Sequence, residues 1–202
     1  MSEFDRAEAL RRMPAAALIE NSDLRMDVLD TIGEVPEYFW EAPATSSAEY
    51  HNQFARGEHG LWIHVLMAAT ALEGVVDSYV EQAQLTESEV DFARAAVLLH
   101  DGWKYGDSWQ SGDGAASDHD LRAADELRER GFPEPVVDAV ASHMGPWYDG
   151  PDPSTPLEQV VHQADMMGSR RHVTPAVYRA PEELVEVHPE LPRCDWDDSE
   201  PT

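Results

Sequence analysis

His64, the adjacent pair His100-Asp101, His119, His143 and Asp165 follow one another at intervals of 36, 19, 24 and 22 residues. Imidazole nitrogens and carboxylate oxygens are the donors that borderline divalent ions prefer. Each of these side chains falls beside residues patterned for a core, and burying one such group without a partner costs roughly 2–7 kcal/mol. Five helices that each carry such a penalty are hard to reconcile with a stable fold, whereas convergence on divalent cations replaces every penalty with coordination. An imidazole-rich set favours Fe, Mn, Co, Ni or Zn over Mg, whose shell is built from oxygen. The single cysteine, Cys194, can form neither an internal disulfide nor a thiolate cluster.

The elements that must position these groups read as helices. Leu61, Val65, Ala68, Leu72, Val76 and Tyr79 keep one apolar face over five turns and carry His64 within them. Thr86 with Glu89 is a capping box that opens a second helix, with Val90, Ala93 and Val97 leading to His100. Ser117 or Asp118 caps a third, which begins at His119 and ends at Gly131 in a left-handed turn. Pro133 and Pro135 start a fourth that reaches His143, and Thr155-Pro156 with Glu158 opens a fifth that contains Asp165. No alternating strand pattern of useful length occurs, so the expected fold class is all-α. Residues 1–45 read as an N-terminal helical arm interrupted at Pro14 and Asn21, residues 46–178 as the main domain, and residues 179–202 as an acidic Pro-rich tail.

Acidic residues outnumber basic ones 40 to 14, a formal charge of −26 that repels double-stranded nucleic acid and anionic membrane from most of the surface. Asp and Glu are spread along the whole chain and Lys104 is the only lysine, a composition suited to a halophilic cytoplasm. Hydrophobic residues make up 42% of the chain, enough for a core rather than a disordered acidic segment. The first residues, Met1-Ser2-Glu3-Phe4-Asp5, lack the basic and apolar regions of a signal peptide, so a cytoplasmic location is expected.

The run Leu98-Leu99-His100-Asp101-Gly102-Trp103-Lys104, with His64 before it and His119, His143 and Asp165 after it, resembles the HD-domain superfamily of metal-dependent phosphohydrolases over roughly residues 46–172. A finer likeness, to phage-type and exoribonuclease-type HD domains, runs through Pro43 to His51, Gly57-Glu58-His59-Gly60-Leu61, His143 to Trp147 and His162 to Met166. The chain departs from that branch at His59, where a glycine is usual, and no separate RNA-binding domain is expected from these residues.

The resemblance implies an HD-domain helical bundle with two metal ions. His64, His100, Asp101 and Asp165 would hold the first, and Asp101 would bridge to a second held by His119 and His143. The implied reaction is hydrolysis of a phosphoester by a metal-activated hydroxide, in a nucleotide or another small phosphorylated metabolite. Lys104, one turn beyond His100, is placed to put its charge on the phosphate, and Arg170 and Arg171 to clamp it. His51 is a candidate to protonate the leaving group or bind substrate, His59 a further one, and His162 a candidate to orient Asp165. Trp103, Trp109, Trp147 and Tyr148 are near enough in sequence to stack a nucleobase. Two other chemistries share the ligand pattern: a mixed-valent di-iron oxygenase and a metal-stabilised regulatory protein without turnover.

Overall fold

A computed structural model describes residues 5–45, 50–172 and 176–194. Residues 46–49 of the upstream motif and 195–202 of the acidic tail lie outside the described residues.

The helical arm begins with α1 (Arg6–Arg12), capped by Asp5, whose side chain accepts from the Glu8 N–H. Pro14 ends it, and a 3₁₀ turn, Pro14–Leu18, leads to α2 (Ser22–Glu34). Asn21 caps α2 by accepting from the N–H groups of Asp23 and Leu24, both at 3.1 Å. These elements are not peripheral: Met13, Ile19, Val28 and Ile32 are buried in the same core as the main domain. A second 3₁₀ turn, Glu37–Trp40, buries all three of its aromatic residues.

The main bundle consists of α3 (Gly60–Glu73), α4 (Val76–Glu81), α5 (Glu87–Leu99), α6 (His119–Glu129), α7 (Glu134–Ala141) and α8 (Pro156–Ser169). Both expected capping boxes are present, at Thr86/Glu89 and Thr155/Glu158. Gly131 adopts φ +82° after α6, the left-handed end expected of it. The long helix expected through Tyr79 instead breaks after Glu73, because Gly74 is followed by Val75 and Val76, a weak helix former before two β-branched residues. Val75 N–H turns to the Leu72 carbonyl at 3.0 Å and restarts the chain as α4. The stretch 60–81 has the length and hydropathy of a membrane-spanning helix, but it is mostly buried inside the bundle.

α3 packs most extensively against α8, and α5 packs against both. The α3–α8 approach depends on Gly168, where an added Cβ would come within 2.9 Å of the Ala68 backbone nitrogen. Beyond α8 the described part of the expected tail folds back. Val177–Tyr178 (β1) pairs in parallel with Arg193–Cys194 (β2), with α9 (Glu182–Val187) between them. Leu184 and Leu191 are buried, and the Tyr178 N–H donates to Thr70 Oγ1 of α3 at 2.7 Å.

Candidate metal centre

α3 supplies His64 from its middle, α5 delivers His100 at its C-cap with Asp101 just beyond, α6 begins with His119, His143 follows the last turn of α7, and α8 contributes Asp165. All six residues are buried, at 3% exposure or less. His64 Nε2 lies 3.2 Å from His100 Nε2 and 3.0 Å from Asp165 Oδ1.

The carboxylate of Asp101 divides the cluster in two. Its Oδ2 faces His64 Nε2 at 3.4 Å and His100 Nε2 at 3.5 Å, while its Oδ1 faces His119 Nε2 at 3.4 Å and His143 Nε2 at 3.7 Å. The donor atoms form overlapping triads, among them His64/His100/Asp101 and Asp101/His119/His143, each within 4.8 Å. The two oxygens of Asp101 thus face two different pairs of imidazoles.

Three of the imidazoles are oriented by their own local backbone. His100 Nδ1 meets the Val97 carbonyl at 2.7 Å, His119 Nδ1 the Ala116 carbonyl at 2.9 Å, and His143 Nδ1 the Val140 carbonyl at 2.7 Å. A carbonyl only accepts, so each Nδ1 carries a proton, and Nε2 is the atom that faces the centre and can ligate when the ring is neutral. Asp101 Oδ1, His119 Nε2, His143 Nε2 and Asp165 Oδ2 are buried there without a hydrogen-bond partner. Lone pairs orphaned at one point and left uncompensated would cost more than the fold can carry. The donor set therefore fits divalent metal, with nitrogen and carboxylate oxygen in the proportion borderline ions take.

Electrostatics support the same arrangement. Burial alone would raise the Asp101 carboxyl, but Lys104 and His100 outweigh it and hold it well below the usual carboxylate range. Burial likewise opposes ionisation of Asp165, and the hydrogen bond from His64 overcomes it, so this carboxyl too lies below its ordinary value. Burial pushes His100 down to about 4, which keeps the ring neutral and able to ligate. For Lys104 burial favours the neutral amine, yet the charges of Asp101 and Asp165 raise its pKa above that of an ordinary lysine. Its Nζ donates to Asp101 Oδ2 at 2.5 Å, so the only lysine lies inside the centre.

His51 is also brought to the cluster. Its ring lies edge-on to His64 with centroids 5.1 Å apart, and its Nε2 is 3.3 Å from Ser169 Oγ, which in turn is 3.4 Å from Asp165 Oδ1. Burial, followed by the charges of His64 and Lys104, pushes His51 down to about 2.

His59 is not part of the centre. It stands at φ +63° before α3, the backbone conformation that favours the glycine usual at that place, and its Nδ1 binds the Trp40 carbonyl at 2.6 Å. His162, expected to orient Asp165, instead meets the His143 carbonyl at 2.5 Å and steadies the turn that carries that ligand. Arg170 is exposed at the C-cap of α8, whereas Arg171 lines a hollow with Gln53, Arg56 and His172. Tyr148 packs edge-on against His119 at 4.7 Å, Trp103 is buried under Arg130, Trp109 leans on Tyr105, and Trp147 is 73% exposed. Sequence reasoning missed Ser169 and Arg56. Ser169 lies one helical turn after Asp165, a spacing that could have flagged it, and nothing local flags Arg56.

Comparison with curated proteins and with solved structures returns no match. A family model for the HD domain matches residues 61–167, more than half of the chain and the span that carries all six clustered side chains. The chain belongs to the HD-domain superfamily of metal-dependent phosphohydrolases.

Proposed function

We propose that the centre is dinuclear and hydrolyses a phosphoester of a nucleotide or another small phosphorylated metabolite. The observation that supports this most is the divided Asp101 carboxylate, with one oxygen toward His64 and His100, the other toward His119 and His143, and a lysine ammonium on the same group. His64, His100, Asp101 and Asp165 would hold one divalent transition ion, and Asp101, His119 and His143 the other. When bound, such a pair supplies a water acidic enough to ionise near neutral pH and positive charge against phosphoryl oxygens.

The protein's own groups do the rest. The Nδ1 hydrogen bonds of His100, His119 and His143 fix their rings, so no reorganisation is needed as charge develops. Lys104 remains charged and buried next to Asp101, where it can give a hydrogen bond to a phosphoryl oxygen. His51, through Ser169, keeps Asp165 turned toward His64. The setting we propose is a cytoplasm of high salt, where screening over ~3 Å at molar ionic strength suppresses the self-repulsion of a −26 chain.

The test is metal analysis on protein purified without chelator, followed by a phosphoester panel under air and under nitrogen. Phosphate release that is equal in both atmospheres, with about two ions per chain, supports the reading. Turnover that consumes dioxygen replaces it with the oxygenase chemistry, and metal binding without turnover replaces it with a regulatory role.

A further inference from the structure

Asp120 is fully buried one residue after His119, yet it is not among the clustered ligand-type groups. Its Oδ1 accepts from the Leu121 N–H at 2.9 Å, and its Oδ2 accepts from the Gly150 N–H at 3.1 Å, thirty residues further along the chain. Hydrogen bonds to an ionised acceptor are about twice as strong as neutral ones, so the contact to Gly150 is a firm tie. Gly150 fits there only without a side chain, because an added Cβ would stand 2.2 Å from the Ala141 carbonyl oxygen and 2.5 Å from Asp120 Oδ2. The Asp149 N–H adds a longer bond to the Ser117 carbonyl at 3.4 Å. The segment after His143 is thereby fastened at its far end to the start of α6, while His162 holds its near end at the His143 carbonyl.

Tyr148 stands between these two ties. Its ring meets the His119 ring edge-on with centroids 4.7 Å apart. Tyr148 is half-buried and His119 wholly so, which places the tyrosine between solvent and the His119 side of the cluster. It also lies close enough to Lys104 to interact with it electrostatically. Lys104 is bonded to Asp101 Oδ2, whereas His119, against which Tyr148 packs, faces Asp101 Oδ1. The ammonium and the phenol therefore flank the carboxylate from its two sides. Among the described residues the Tyr148 hydroxyl has no hydrogen-bond partner, so its O–H is left to donate to a ligand.

We infer that Tyr148 is a substrate-binding residue whose hydroxyl donates to a phosphoryl oxygen at the His119 side of the centre, and that Asp120 is the positioning residue that keeps it there through Gly150. This rests on the phosphohydrolase reading for the nature of the ligand.

The experiment titrates protein purified without chelator with inorganic phosphate by calorimetry, with metal content and circular dichroism recorded for every variant. Tyr148→Phe keeps the ring against His119 and removes only the hydroxyl, so phosphate affinity should fall about tenfold with metal per chain unchanged. Gly150→Ala breaks the tie without touching α6 and should lower the affinity by a similar factor. Adding Tyr148→Phe to Gly150→Ala should then cost little more, because the hydroxyl is already displaced. Asp120→Ala should match Gly150→Ala, and Asp120→Asn, which keeps one acceptor oxygen, should recover part of the loss. Equal phosphate affinity in the parent and Tyr148→Phe, no binding in either included, overturns the hydroxyl contact. Losses that multiply in full in the double variant, or loss of metal in Gly150→Ala, overturn the positioning role. A tenfold loss in Tyr148→Phe from a protein that hydrolyses no ester keeps the contact and rejects the hydrolase reading instead.

Discussion

Asp91, in the second turn of α5, and Asp101, just beyond its C-cap, are both buried and both next to a cation, yet their surroundings differ in kind. Asp91 accepts from the N–H groups of Glu20 and Asn21 at 2.9 and 2.8 Å, and Arg94 lies 3.5 Å away. Arg94 in turn forks onto Glu73 and reaches the Leu18 carbonyl, so the helical arm is stapled to the bundle by groups that satisfy one another. Asp101 has one oxygen occupied by Lys104 and one with no hydrogen-bond partner, which faces the Nε2 atoms of His119 and His143 that also have none. A buried carboxylate whose oxygens are all paired within the chain holds the fold together. One whose free oxygen faces other unpaired donors is built to receive something from outside.

The largest effect that sharpens this contrast is expected at Asp101. Asp101→Asn keeps the volume and can still accept from Lys104, but it removes the charge shared by both halves of the cluster. Metal per chain and turnover should both fall, turnover by more than about 100-fold, while the metal-free protein stays folded. Metal analysis, rate and circular dichroism on the same preparation check it, and full occupancy in Asp101→Asn would break the comparison.

His119→Ala comes next. It strips one donor from the Oδ1 side alone, so about one ion per chain should remain while the rate drops roughly 10- to 100-fold. Normal turnover in this variant would mean that a single ion does the chemistry.

Near the start of the helix, Asp91→Ala should leave metal content and rate as they are and lower stability. Two backbone donors lose their acceptor, which at about 1–3 kcal/mol each corresponds to a thermal midpoint lowered by roughly 4–24 °C. Loss of metal in Asp91→Ala would show that the two sites are not independent.

The smallest effect belongs to the surface of the arm. Hydrogen bonding from Arg11 draws the Glu8 carboxyl down to about 2, although burial opposes the shift. A depressed folded-state pKa means stability that is present above the ordinary value of 4.5 and is lost as pH falls toward 2. The side chain is 28% exposed, so the contribution is below about 1 kcal/mol and is screened by salt. Stability curves of the parent and Glu8→Gln should differ slightly near neutral pH and converge on acidification.

What the chain determined without its fold was local. The two capping boxes, the left-handed end at Gly131 and the six ligand-type side chains were legible because each depends on residues within a turn of one another or on helical periodicity. The family pattern added the order in which those side chains are used. Tertiary structure alone decided that His162 serves the His143 carbonyl rather than Asp165, that His51 reaches Asp165 by way of Ser169, and that Arg56 and Arg171 share one hollow. Each of these joins residues distant in the chain. Such contacts depend on how closely and at what angle helices pack, as at Gly168 against Ala68, and that is settled by the shape of whole faces rather than by any spacing along the sequence.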